Sequence, residues 1–197
     1  MTKKKSSALK FPLQAHPRDR ATKAPVPAVA APMSESDVEL WGLWQYPKDA
    51  ADRVWDWESI FAEAQAPGSE TECYAVVARE ALQGLMAVVV EGKPTPEGVA
   101  LGVDYLASNP VNRDLSGGLK DVGFILVVLA VRRSVEIGWN GRLWLESLPD
   151  AEEFYVRCGF SWLPGKSAEG NAMFWLTGAA ADVILATARA TGILSPI

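Results

Sequence analysis

The spacing of apolar residues changes several times along the chain, and each change predicts an element. Residues 38–46 (VELWGLWQY) read as a first strand, which Pro47 stops. Val54, Trp57, Ile60, Phe61 and Ala64 then recur at three- and four-residue intervals. That spacing predicts a helix with one buried face, capped by Asp49 or Asp52 and ended by Pro67-Gly68. Strand-like runs follow at 73–79, 82–90 and 99–106, with Pro94, Pro96 and Gly98 placing 92–98 in a loop. A polar, glycine-bearing stretch over 109–120 feeds a long apolar helix at 121–137, which Gly138 stops. Residues 141–145 read as a buried strand and 150–158 as a short helix. Segments 160–163 and 172–176 form a closing pair of strands, and 179–190 a last, Ala-rich helix. This order predicts an α+β fold, a mixed central β-sheet flanked by helices.

Composition narrows the chemistry. A chain of 197 residues, 49% of them hydrophobic, can bury a full core without staples. Residues 1–36 hold seven bases against two acids, a net +5, which leaves −10 for the remainder. With five prolines among Ala, Lys and Ser, this stretch predicts a flexible basic leader, and a single domain over 37–197. A basic leader either stays solvated or touches nucleic acid; sparse bases with no interleaved aromatics favour the solvated tail. Cys73 and Cys158 form no CxxC pair, and His16 is the one histidine. That excludes a zinc centre and any His-dependent nucleophile, so no metal is expected. The longest apolar run, 124–131, falls short of the roughly 20 residues of a membrane span, and no secretory leader is evident. A cytoplasmic protein with reduced thiols is the expectation.

Four segments carry a family likeness: DYLASNPVNR (104–113), GGLKDVGFILVVLAVRRSVEIG (117–138), GRLWLESLP (141–149) and AEEFYVRCGF (151–160). In this order they resemble the GNAT superfamily of acyl-CoA-dependent N-acetyltransferases. The element order from about residue 37 agrees, with the leader and the last helix outside the match. The resemblance implies acetyl-CoA as co-substrate and a primary amine, on a small molecule or a protein, as acceptor; the acidic body favours a cationic one.

The same resemblance implies a site. Gly117, Gly118 and Gly123, with Lys120 and Val122 between them, would hold a pyrophosphate on backbone N–H groups at the helix N-terminus, where the dipole favours negative charge. Strands 99–106 and 141–147 would splay, so that backbone near Asp104, Tyr105 and Leu106, and the Ser147 hydroxyl, bond the pantetheine arm; Ser147 serves equally as a helix cap. Tyr155 takes the place of the family's general acid, protonating the departing thiolate, unless it simply packs on its helix. Glu146, ahead of Asp104, is the expected base.

The loop departs from the family's Arg/Gln-x-x-Gly-x-Gly/Ala. With Gly123 last, Gly118 stands where the Arg or Gln belongs and Asp121 where the middle Gly belongs. A carboxylate at ~6 Å from a phosphate charge, at an effective dielectric near 20, costs about 3 kcal/mol, which Lys120 offsets in part. Asp121 equally suits a helix cap, in which case it takes the amides a phosphate needs; a second alignment has Gly117-Gly118 making the phosphate turn. Two functions therefore stand side by side, an N-acetyltransferase and a non-catalytic GNAT-like binding module. Of eight tryptophans, Trp41, Trp44, Trp55 and Trp57 cluster early in the body. They suit core packing, an acceptor wall or a homodimer interface.

Overall fold

The computed structural model describes residues 12–113 and 117–193. Three strands come first, β1 (Leu13–Ala15), β2 (Arg18–Asp19) and β3 (Ala28–Pro32), then helices α1 (Glu35–Trp41) and α2 (Trp57–Gln65). A meander of β4 (Thr71–Ala78), β5 (Ala81–Thr95) and β6 (Gly98–Ser108) leads through β7 (Leu119–Lys120) into α3 (Val122–Glu136). The chain ends with β8 (Leu143–Ser147), α4 (Glu152–Arg157), β9 (Ser161–Lys166), β10 (Ala172–Leu176) and α5 (Gly178–Ala190). Eight strands form one sheet in the order β1-β3-β4-β5-β6-β8-β10-β9, and β2 pairs with β7 separately. Within the large sheet only β6 and β8 run parallel.

Both faces of the sheet are covered. On one lies α3, with Ile125, Leu126 and Leu129 fully buried against Met86, Val88 and Leu101. A helix apolar on nearly every side belongs inside a core, and Arg133, its one buried charge, is held by Glu72 through bonds of 2.7 Å from Nε and Nη2. Gly84 on β5 permits the close crossing, since a Cβ there would lie 2.8 Å from Val122 Cγ1. On the other face α1 and α2 press Trp57 and Trp44 onto Leu85 and Ala87. Helix α2 presents Trp57, Ile60, Phe61 and Ala64 as its spacing predicts, but Val54 lies before it and is exposed, because Asp56 caps the helix, accepting from Glu58 N (3.1 Å) and Ser59 N (3.2 Å).

Three expectations are corrected. Residues 13–32, read as part of a flexible leader, form β1 to β3, with Leu13, Ala15, Ala28 and Ala30 buried in the main core. Alanine alternating with alanine carries no hydrophobic period, although its small side chain suits a strand packed beneath a helix. Residues 1–11 of that leader lie outside the described residues. Segment 38–46 is the end of α1 and a turn, not a strand. Its start is fixed by Asp37, whose carboxylate accepts from Ser34 N (2.8 Å) and Ser34 Oγ (2.7 Å), as in a capping box. The 92–98 loop is almost all hairpin, with pairing continued to Thr95↔Gly98. No helix among the described residues is long and apolar enough to cross a membrane.

Candidate functional site

Strands β6 and β8 pair at only three positions, Leu101↔Leu143, Gly102↔Trp144 and Val103↔Leu145. Beyond them β6 stays with β5 as far as Ser108, and β8 stays with β10 as far as Ser147, but the two no longer pair with each other. The sheet thus opens in a fork. Backbone groups that faced the lost neighbour can bond an extended ligand as a strand would. At the fork the register of β5 steps from Ala87↔Tyr105 to Val88↔Val103. Asp104 is the extra residue of this β-bulge, a device that turns a strand and re-aims its side chains. Below the fork is a cavity of about 690 Å³ that reaches the start of α3 and the inner side of α4.

The first turn of α3 faces this cavity through Val122, Gly123 and Phe124, and the first amides of any helix lack intrahelical acceptors. Asp121 precedes them in the left-handed conformation, φ +73°, and its side chain makes no capping hydrogen bond. It does not take the amides. A residue at this φ is ordinarily glycine, with Asp and Asn the tolerated exceptions, so Asp121 holds a backbone geometry that glycine adopts freely. At Gly123 a Cβ would come within 3.1 Å of Phe154 Cζ, so α4 fits closely over the turn.

Helix α4 sets Tyr155 into the cavity wall. Its ring is buried among Phe154, Phe160 and Phe174, with centroids 5.1, 5.4 and 6.3 Å away. Burial pushes the phenol well above its ordinary value. Cys158 lies one turn on in the same wall, its thiol pushed up to about 12 by burial against the opposing charge of Arg157. At the fork Asp104 and Glu146 both line the cavity. Burial raises the Asp104 carboxyl, Lys93 opposes, and Glu146 and Glu63 add to the rise. The far wall carries a two-pronged ion pair. Arg113 Nη1 donates to Asp52 Oδ1 at 2.8 Å and Nη2 donates to Asp52 Oδ2 and, at 2.9 Å, to the Ser108 carbonyl.

Of the residues singled out in the sequence, Tyr155, Glu146, Asp104, Leu106, Lys120, Val122 and Gly123 line this one cavity. Four others do not. Tyr105 turns to the opposite face, edge-on to Trp55 (5.2 Å) and Trp57 (6.1 Å), because the bulge at Asp104 offsets the alternation. Ser147 is buried and donates to the Leu148 carbonyl at 2.9 Å. Gly117 and Gly118 stand behind the wall, and Gly118, at φ +68°, shapes the turn. Among the lining residues that the sequence did not mark for the site are Trp55, whose neighbourhood alone drew notice, Arg113 and Phe154, and Arg20, which lay in the supposed leader.

No family description matches the sequence, and no curated protein does. Solved structures do. A point mutant of the toxin AtaT, bound to the C-terminus of the antitoxin AtaR and acetyl-CoA, is 15% identical. It superposes with a TM-score of 0.57 over 81% of this chain and 98% of that one. The GNAT domain of S. lividans PAT is 13% identical, with a TM-score of 0.53 over 83% and 96% of the two chains. An uncharacterized protein from Bacillus halodurans is 10% identical, with a TM-score of 0.58 over 89% and 94%. At these identities the likeness is one of architecture, and the architecture is that of the GNAT fold.

Proposed function

We propose that the protein is an acetyl-CoA-dependent N-acetyltransferase acting on a primary amine. The observation that carries this is the fork: β6 and β8 part after Val103↔Leu145, directly above a helix start whose N-cap side chain leaves the amides alone. Acetyl-CoA supplies an activated acyl group and a thiolate leaving group. The unpaired edges of β6 and β8 hold the extended arm. The first-turn amides of α3 take the diphosphate, aided by the helix dipole.

Tyr155 holds the proton that the leaving thiolate needs. It is protonated at neutral pH, as an ordinary phenol is, and the three surrounding rings fix its direction. The amine loses its proton to a carboxylate at the fork. Asp104 is proposed for this, because the bulge re-aims it at the fork and its raised carboxyl is a stronger base than an ordinary Asp. Glu146 contributes by sustaining that rise.

Titration of acetyl-CoA by calorimetry tests the assignment, with micromolar binding expected. Tyr155→Phe should then lower kcat by about 100-fold at unchanged affinity for acetyl-CoA; an unaltered kcat removes Tyr155 from the acid role. Absence of binding at millimolar ligand would leave the non-catalytic module, which the Asp121 carboxylate beside the helix start favours.

A further inference from the structure

We propose that Arg20, carried by the N-terminal segment, supplies a cationic side chain that grips the diphosphate end of the cavity together with Lys120, in place of the side chain that position 118 lacks. The inference rests on the acyltransferase assignment and adds a ligand-binding residue to it.

Position 118 cannot carry that side chain itself. At Gly118 a Cβ would lie 2.5 Å from the Val111 carbonyl oxygen and 2.6 Å from Asn112 Oδ1, and φ is +68°. The obstructing wall is held from both sides. Asn112 Oδ1 accepts from Leu119 N at 2.6 Å, and Asn112 Nδ2 donates to the Gln83 carbonyl (3.2 Å) and Gln83 Oε1 (3.0 Å). Only glycine fits at position 118, so the turn is bound to its own side-chainless geometry.

The N-terminal segment delivers a cation to this place. Strand β2 pairs with β7 in the register Arg18↔Lys120 and Asp19↔Leu119, and the next amide, Arg20 N, donates to the Gly118 carbonyl at 3.1 Å. Arg20 is therefore bonded, backbone to backbone, to the residue whose side chain is missing. The bend that presents it is prefolded: the Asp19 carboxylate accepts from Ala21 N (3.0 Å), Thr22 N (2.8 Å) and Arg79 Nη2 (2.6 Å).

The guanidinium itself is suited to the task. It lines the same cavity as Lys120 and the first residues of α3. Nη2 donates to the Asn112 carbonyl at 2.9 Å, which fixes the group, while Nε is buried and has no partner among the described residues. A guanidinium anchored on one nitrogen, with its other donors not engaged by a carboxylate, matches the planar, multi-oxygen surface of a diphosphate. It also places positive charge opposite Asp121 in the same wall. Asp19, next to it in sequence, is committed to Arg79, and Asp52, among the cavity's carboxylates, to Arg113.

The test compares wild-type full-length protein with Arg20→Ala, Arg20→Lys and Arg18→Ala, using acetyl-CoA and S-acetylpantetheine, which lacks the diphosphate. Arg18 shares the strand but reaches the Thr191 carbonyl instead. Arg20→Ala should weaken acetyl-CoA binding at least tenfold and raise its KM by a similar factor. Its kcat at saturation should stay within twofold and its KM for S-acetylpantetheine unchanged; Arg20→Lys should recover part of the loss and Arg18→Ala show none. Wild-type affinity in Arg20→Ala overturns the inference and leaves the acyltransferase assignment standing. So does an equal loss with both thioesters, or an equal loss in Arg18→Ala, since either marks a merely structural strap. Wild-type protein that binds no acetyl-CoA overturns both.

Discussion

Asp121 concentrates the residue-scale question. A charged side chain at φ +73° beside the proposed diphosphate site carries two costs, backbone strain of about 1 kcal/mol and repulsion toward the proposed ligand. Asp121→Gly removes both. It should tighten acetyl-CoA at least tenfold without lowering the melting temperature, read by calorimetry and a thermal melt. Unchanged affinity would mean that the carboxylate points away from the bound anion. Its position was legible from the loop pattern, but its conformation was not, because capping and left-handed geometry both favour Asp. That Tyr155, Asp104 and Glu146 would share one cavity was legible from the order of the four segments that carry the family likeness. The direction of the Tyr105 side chain was not legible for a local reason: one extra residue in a bulge inverts the faces of everything after it.

At the scale of elements, the turn between β6 and α3 is the part with least freedom. Asn112 bonds to Leu119 and Gln83, and Gly118 fits against Val111 and Asn112 with no room for a side chain. Gly118→Ala should cost about 2 kcal/mol or more of stability, by chemical denaturation. A neutral result would show that the turn has a second conformation within reach. The strands and helices after residue 71 were legible because their apolar runs are long or β-branched and are punctuated by Gly and Pro. Helix α1 was not. In a nine-residue stretch holding Val38, Leu40, Trp41, Leu43 and Trp44, strand and helix periods both find matches, and the deciding signal is the Ser34–Asp37 cap, which lies before it.

The whole molecule depends on a segment that looks dispensable by composition. Strand β3 covers the edge of β4 through five pairs, from Ala28↔Ala78 to Pro32↔Tyr74, and β1 extends the sheet by one more strand. A protein truncated to start at residue 37 should lose Leu13, Ala15, Ala28 and Ala30 from the core and expose the backbone of β4. An uncovered edge of this kind invites association, so the expected product is insoluble or aggregated by size-exclusion chromatography. A monodisperse, cooperatively melting fragment would show the N-terminal strands to be an accessory. Mixed topology was legible at this scale, because a strand, a long helix and another strand in succession require a parallel crossover. The docking of the N-terminus was not, since its contacts are backbone pairs and alanines rather than a hydrophobic pattern.

For the proposed transferase, the buried thiol of Cys158 bears on the order of events. A thiol held near pH 12 in an apolar wall is a poor nucleophile at neutral pH, and Cys73 is likewise buried and pushed up to about 12. Neither can store an acyl group between two half-reactions. Initial-rate lines at several acceptor concentrations should therefore intersect, as in a ternary-complex scheme, rather than run parallel as in ping-pong exchange. For the same reason a chromogenic disulfide reagent added to folded protein should report released CoA with little background from the chain.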